Sequence, residues 1–190
     1  MDDAGAAVII LAGGKATRFP GKLERPIGDV PMLAHIYRSV QGLCPTYICL
    51  SADSDLAHKL QLDAEILVDR EPLRGPLPTL LDAFEVVREL RAFVVAADMP
   101  FVQANTLREI AEHWKSDDEA VVALDEEGRP QPLLALYDRK AFVRAAASLD
   151  SERDGVKDTL RHLRWRGITL RESSALANIN TEDQYRAVTA

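Results

Sequence analysis

The sequence predicts a three-layer α/β fold, in which helices cover both faces of a mostly parallel sheet. Short apolar runs, each typical of a buried strand, alternate along the 190 residues with amphipathic helical patterns. Parallel strands joined by crossover helices require this alternation. The sequence contains no internal repeat, low-complexity segment or clear linker. We therefore expect one domain over residues 1–190.

The first half of the chain contains four short apolar runs and two helical patterns. The predicted strands are 6–11, 47–50, 65–68 and 92–97, and the predicted helices are 32–41 and 79–90. Continuous apolar runs of this length favour buried strands over helices. The second helix has an apolar stripe at helical spacing, so one face is expected to be buried; the stripe consists of Leu80, Phe84, Val87 and Leu90.

The second half continues the alternation. Thr106 and Glu109 have the spacing of a capping box, which predicts a helix that starts there. The remaining elements are strands 120–124 and 133–137 around a turn at 126–130, helices 139–149 and 155–163, and a strand near 167–170. Thr181 and Gln184 predict a last capping box at the C-terminus. The strands after Ala120 leave room for an antiparallel member.

Composition excludes several classes of function. The net charge of −7 argues against sequence-independent nucleic-acid binding, which needs a basic surface. No apolar stretch is long enough to span a membrane, and Met1-Asp2-Asp3 lacks the basic start of a signal peptide. Cys44 and Cys49 are interpreted as reduced thiols. These features favour a cytoplasmic protein.

The end of the first strand has the composition of a phosphate site. Leu11 leads into Ala12-Gly13-Gly14, where paired glycines let the backbone turn and approach a ligand closely. Arg18 and Lys22 then add two positive charges suited to phosphate oxygens. An ordinary strand-to-helix turn with exposed basic residues is the alternative.

Two common phosphate-binding motifs are excluded at this position. A Walker A loop has four residues between its glycines and Ser or Thr after its Lys. Here six residues separate Gly14 from Gly21, and Leu23 follows Lys22. The Gly-x-Gly-x-x-Gly pattern of dinucleotide-binding proteins is also absent.

Polar side chains follow three other strands, at the edge of the sheet where α/β proteins bind ligands. Asp98 ends the strand 92–97 and could hold Mg²⁺ together with triphosphate oxygens, since Mg²⁺ prefers oxygen ligands. Capping of a turn is the alternative for Asp98. Ser51 and Asp69 end two further strands, where they either contact a base or ribose or cap the strand.

Together these motifs resemble the molybdenum cofactor guanylyltransferases, the MobA-like nucleotidyltransferases. The resemblance covers nearly the whole chain and rests on Leu11-Ala12-Gly13-Gly14, Arg18-Phe19-x-Gly21-Lys22, Ala97-Asp98-Met99-Pro100, Pro132–Tyr137 and Asn178-Ile179-Asn180-Thr181-x-Asp183. The first motifs occur in many nucleotidyltransferases with a Rossmann-like fold. The Asn-Ile-Asn-Thr ending indicates the molybdopterin enzymes.

The resemblance implies Mg²⁺-dependent transfer of GMP from GTP to molybdopterin, with release of pyrophosphate. It implies that Leu11, Ala12, Gly13 and Gly14 wrap the nucleotide, that Lys22 and Arg18 neutralise phosphates, and that Asp98 holds Mg²⁺. Ser51 and Asp69 match positions that face the nucleoside. Asn178 and Asn180 match positions that face the acceptor, and Asn180 is a candidate second metal ligand. Transient contact with molybdoenzymes or cofactor-biosynthesis proteins is also implied.

The base and the acceptor stay open, because the chain departs from the family pattern around the predicted base pocket. The segment between Gly14 and Lys22 is shorter, Gly21 replaces Asp, Ser51 replaces Asn and Thr79 replaces a second Gly. The alternatives are a transferase that uses CTP or another acceptor such as a sugar phosphate, and a non-catalytic nucleotide-binding module.

Overall fold

A computed structural model describes residues 5–13, 19–52, 54–69, 75–150 and 153–189. The strands are β1 Ala6–Leu11, β2 Pro26–Ile27, β3 Val30–Pro31, β4 Thr46–Ser51, β5 Glu65–Asp69, β6 Arg91–Ala96, β7 Ala120–Leu124, β8 Pro130–Asp138 and β9 Trp165–Thr169. The α-helices are α1 Met32–Val40, α2 Leu56–Lys59, α3 Pro76–Val86, α4 Ala104–Glu112, α5 Arg139–Ala146, α6 Val156–Thr159 and α7 Glu182–Thr189.

Seven of the strands form one sheet in the order β5-β4-β1-β6-β8-β7-β9. β1 pairs in parallel with β4 and β6, whereas β8 runs antiparallel to both β6 and β7. This confirms the predicted α/β class and the antiparallel member after Ala120. The chain first extends the sheet to one side of β1 and then crosses to β6 on the other side. Sheets of this kind bind ligands at such a reversal, beyond the carboxyl ends of the strands.

Alternate side chains of the central strands face two apolar layers. On one face, Ile9 packs in a cluster with Phe84 of α3 and Phe142 of α5. On the other face, Ile10 packs in a cluster with Ile36 of α1 and further side chains of α4. Burial on both faces explains why the strands are continuous apolar runs. No helix among the described residues combines the length and the apolar character needed to cross a membrane.

The structure corrects the predicted ends of α3. The helix begins at Pro76 and ends at Val86, after which Val87 adopts an extended backbone. Proline is favoured in the first helical turn because its missing N–H has no helical partner there. Leu90, expected on the buried face, lies beyond the helix with 63% of its surface exposed.

Helix starts and ends differ elsewhere as well. Thr106 is not the first residue of a capping box; the cap of α4 is Gln103, whose backbone N–H donates to Thr106 Oγ1. The helix predicted over 139–149 ends at Ala146, and that over 155–163 becomes a 3₁₀ turn after Thr159. The capping box of Thr181 and Gln184 is confirmed, with bonds of 3.1 and 3.2 Å.

The C-terminal segment returns to the sheet edge and packs on the loop after β1. Phe19 and Ile179 share a small apolar cluster, and the Phe19 ring lies 5.6 Å from that of Tyr185 in α7. The Tyr185 hydroxyl donates to the Pro26 carbonyl at 2.7 Å. The Ile179 N–H donates to the Asp98 carbonyl at 2.9 Å. These contacts bring the Asn-Ile-Asn motif to the end of β6.

Candidate nucleotide site

A cleft of about 410 Å³ lies beyond the carboxyl ends of the parallel strands. Leu11, Ala12 and Gly13 line it at the end of β1, and Asp98 lines it just after β6. Asp69, the last residue of β5, lines it on the side of α3. The cleft thus lies at the sheet edge where the sequence predicted a ligand site.

Three motifs that are distant in sequence meet at the Lys22 side chain. Its Nζ donates to Asp98 Oδ2 at 2.7 Å, to Asn180 Oδ1 at 3.1 Å and to the Ile179 carbonyl at 3.3 Å. The Lys22 and Asp98 side chains are only 15% and 18% exposed. Lys22, Asp98 and the Ile179–Asn180 segment, one from each motif, therefore form one hydrogen-bonded cluster in the cleft.

The same cluster has the oxygen ligands that a hard divalent cation requires. Asp98 Oδ2 and Asn180 Oδ1 lie within 3.1 Å of a single positively charged atom, so they converge on one point. Carboxylate and amide oxygens suit Mg²⁺, which takes few protein ligands and completes its shell with water and phosphate. Across the described residues, no group of three or more His, Cys, Asp and Glu could hold a metal. The described residues thus offer two oxygen ligands, which would suit a magnesium ion that takes its other ligands from water and phosphate.

Asp69 is held in a buried contact at the α3 end of the cleft. The Thr79 hydroxyl donates to Asp69 Oδ2 at 2.7 Å, and Asp69 is only 5% exposed. A Cβ at Gly13 would lie 3.6 Å from the same oxygen, so the glycine backbone passes close to the carboxylate. The neighbouring Cys49 thiol is buried, and this burial is the main cause that raises its pKa to about 12. The negative charges of Asp69 and Asp82 contribute in the same direction. Cys49 is therefore an unreactive core residue.

The start of α3 offers few amide donors to an anion. Gly75 precedes the helix with φ of 89°, which glycine adopts without strain. Pro76 and Pro78 lack an N–H, so Leu77 is the one donor among the first three helical residues. The start of α3 therefore has few free N–H groups for an anion.

Most predicted site residues in the described part of the chain meet at the cleft. Those that line it are Leu11, Ala12, Gly13, Lys22, Asp69, Asp98, Asn178 and Asn180. Ser51 pairs in register with Asp69 at the end of β4, but it is not among the described residues that line the cleft. Gly14 and Arg18 lie outside the described residues.

The sequence reasoning missed Gln131 and Leu133 as lining residues, and noted Thr79 only as a departure from the family pattern. Gln131 and Leu133 lie near the start of β8, which reaches the cleft because this strand is antiparallel. A search of polar residues at strand ends alone does not find them. Gln131 lies between Pro130 and Pro132, directly after the charged segment Asp125–Arg129, so no local pattern marked it as a site residue.

The comparisons with known proteins indicate a family for the chain. The model of the MobA-like NTP transferase domain matches residues 8–167. A protein of Carboxydothermus hydrogenoformans named "Probable molybdenum cofactor guanylyltransferase" is 24% identical over 186 residues, covering 94% of this chain and 92% of its own.

Two solved structures share the fold. Molybdopterin-guanine dinucleotide biosynthesis protein A from Archaeoglobus fulgidus has a TM-score of 0.79 at 23% identity, covering 96% of each chain. The Rv0371C complex with manganese from Mycobacterium tuberculosis H37Rv has a TM-score of 0.71 at 18% identity, covering 97% of this chain and 98% of that one. Because the family model extends from β1 into β9, the chain belongs to the MobA-like NTP transferase family.

Proposed function

We propose that the protein transfers GMP from GTP to molybdopterin in a Mg²⁺-dependent reaction that releases pyrophosphate. The observation that carries the proposal is the meeting of Lys22, Asp98 and Asn180 at the centre of the cleft. This cluster combines a cation for phosphate with oxygen ligands for a metal. The name of the relative from Carboxydothermus hydrogenoformans supports molybdopterin as the acceptor.

In the reaction, an oxygen of the molybdopterin phosphate attacks the α-phosphorus of GTP. A new P–O bond forms to that phosphorus as its bond to the bridging oxygen of the β-phosphate breaks. The electron pair leaves with pyrophosphate. Such transfers need positioning and charge neutralisation more than covalent chemistry from the protein.

We assign each residue a role from its position in the cleft or, for Ser51, Gly14 and Arg18, from the resemblance to the family alone. The backbone of Leu11, Ala12, Gly13 and Gly14 wraps the nucleotide, and Asp69 with Ser51 faces the nucleoside. Lys22 and Arg18 neutralise phosphate charge. Asp98 and Asn180 would hold Mg²⁺, which would further neutralise the phosphates. Asn178 and Asn180 face the acceptor.

The test is pyrophosphate release by the purified protein with GTP, Mg²⁺ and molybdopterin. We expect Asp98→Asn and Lys22→Ala to lower kcat by about 100-fold or more, as loss of a preorganised electrostatic contact does in other enzymes. Lys140→Ala is the matched control, since Lys140 is exposed on α5 and should leave the rate unchanged. Unchanged rates in both site variants would contradict the assigned roles.

Substrate panels separate the alternatives. CTP in place of GTP tests the base, and sugar phosphates in place of molybdopterin test the acceptor. Release with sugar phosphates alone would overturn the pterin assignment. Tight GTP binding without turnover on any acceptor would instead indicate a non-catalytic nucleotide-binding module.

A further inference from the structure

The cleft extends across the sheet on both sides of the Lys22–Asp98 cluster. Asp69 lines one side at the end of β5, and Gln131 lines the other at the start of β8. Four strand spacings separate these strands in the sheet, which places the two ends roughly 19 Å apart. A nucleotide on the Asp69 side, with its phosphates at the cluster, leaves the β8 side for the second substrate.

Hydrogen bonds hold the β8 side of the cleft in a defined arrangement. Asp125 Oδ2 accepts a hydrogen bond from Gln131 Nε2 at 3.1 Å. Asp125 Oδ1 accepts from the backbone N–H groups of Arg129 and Glu127, at 2.8 and 3.0 Å. These bonds hold the pKa of Asp125 below its usual value, and the bond from the Arg129 N–H has the largest effect. Asp125 therefore stays an acceptor and fixes the orientation of the Gln131 amide.

A β-bulge in the pairing of β7 with β8 helps to orient this side of the cleft. The pairing of β7 with β8 shifts register between Val122 and Ala123, so the β8 segment around Pro132 and Leu133 is displaced from the ladder. The hydroxyl of the fully buried Tyr137 donates to the Pro132 carbonyl at 2.8 Å and holds the displaced backbone. Bulges beside active sites commonly re-aim side chains in this way.

We propose that Gln131 is a further acceptor-recognition residue beside Asn178 and Asn180, and that it binds a lactam edge of the acceptor. One Nε2 hydrogen is committed to Asp125, which leaves a second N–H and the carbonyl oxygen as a paired donor and acceptor. A planar ring with adjacent C=O and N–H groups, as in a pterin, matches this pair. Leu133 supplies an apolar surface beside it. The inference rests on the proposed function, because it places the pterin in the same cleft.

The first experiment compares Gln131→Ala with the wild-type protein in the pyrophosphate-release assay. We expect the KM for molybdopterin to rise about five- to tenfold, because the variant loses one or two hydrogen bonds to the acceptor. The KM for GTP should stay within twofold. Gln41→Ala is the matched control, since Gln41 is exposed at the end of α1. Equal increases in both KM values, or no increase, would overturn the assignment.

A second experiment does not depend on turnover. Fluorescence of 6-hydroxymethylpterin phosphate reports its binding to protein that carries Mg²⁺ and a non-hydrolysable GTP analogue. We expect Gln131→Ala to weaken binding at least fivefold and Asp125→Ala to weaken it less, because the amide is then present but not oriented. Absence of pterin binding to the wild-type protein would overturn the inference. The proposed function would fail separately, by absence of pyrophosphate release from GTP and molybdopterin.

Discussion

At the residue scale, the Thr79–Asp69 contact determines how the α3 end of the cleft is arranged. A buried carboxylate costs free energy unless hydrogen bonds satisfy it. The Thr79 hydroxyl supplies such a bond at 2.7 Å and also lies 3.3 Å from the Gly75 carbonyl. Thr79 thereby links Asp69 to the start of α3.

We expect Thr79→Val to raise the KM for the nucleotide about three- to tenfold. Valine has a similar shape but no hydroxyl, so Asp69 loses a bond worth about 1 kcal/mol and its orientation. Thr79→Ser keeps the hydroxyl and is the matched control. Nucleotide titration followed by initial rates measures the effect, and equal KM values for the Val and Ser variants would contradict it.

At the element scale, the C-terminal helix α7 supports the loop that carries Lys22. Phe19 of that loop is only 4% exposed and contacts the Tyr185 ring. Lys22 in turn donates to the Ile179 carbonyl, three residues before α7 begins. Packing of a short terminal helix thus positions a cation near the other end of the chain.

Tyr185→Ala should lower the free energy of unfolding by about 1–2 kcal/mol, less than a core aromatic because Tyr185 is half-buried. It should also lower kcat, since the loop that holds Lys22 loses its support. Tyr185→Phe keeps the ring and loses only the bond to Pro26, so its effects should be smaller. Urea denaturation and steady-state rates measure both. A Phe variant as impaired as the Ala variant would show that the hydroxyl and not the ring is responsible.

At the scale of the whole molecule, ion pairs connect the last strands of the sheet. Glu119, before β7, is 7% exposed and binds Arg144 at 2.7 Å and Arg164 at 3.1 Å. Burial opposes its ionisation, but hydrogen bonds from the Arg164 N–H and the Arg144 side chain outweigh burial and hold its pKa below the usual value. The pKa of Asp118 is also lowered. Burial alone would raise it, but hydrogen bonds from the Arg166 side chain and the Lys115 N–H outweigh burial.

These lowered pKa values predict that acid destabilises the fold. The unfolded chain binds more protons than the folded one, so the free energy of unfolding falls as the pH decreases. The stabilisation is complete above the unfolded pKa of about 4 and is lost as the pH falls through the folded value.

Glu119→Gln should lower the melting temperature at pH 7 by about 3–6 °C and weaken its dependence on acid pH. Thermal denaturation between pH 7 and pH 3 measures both. Glu85→Gln is the control, because Glu85 is exposed on α3. If the pH dependence of the Glu119 variant matched that of the control, this network would not be the source of the acid sensitivity.

The sequence by itself determined the fold class, the approximate positions of the seven strands of the main sheet and the residues that follow β1 and β6. The short hairpin of β2 and β3 was not predicted. The strands were predictable because burial on both faces requires continuous apolar runs, a local property. The positions of Gly13 and Asp98 were predictable because each closely follows such a run. Helix ends were less predictable: Leu90 fits the helical stripe of α3, yet the helix stops at Val86.

Only the tertiary structure decided which of these residues meet. Lys22 bonds Asp98 and Asn180 across separations of 76 and 158 residues, and no local period encodes such contacts. Gln131 enters the cleft because β8 is antiparallel, so the start of that strand lies where its neighbours end. Strand order and direction follow from the packing of the whole sheet. For that reason the sequence predicted the positions of Gly13 and Asp98, and the fold decided which residues lie near them.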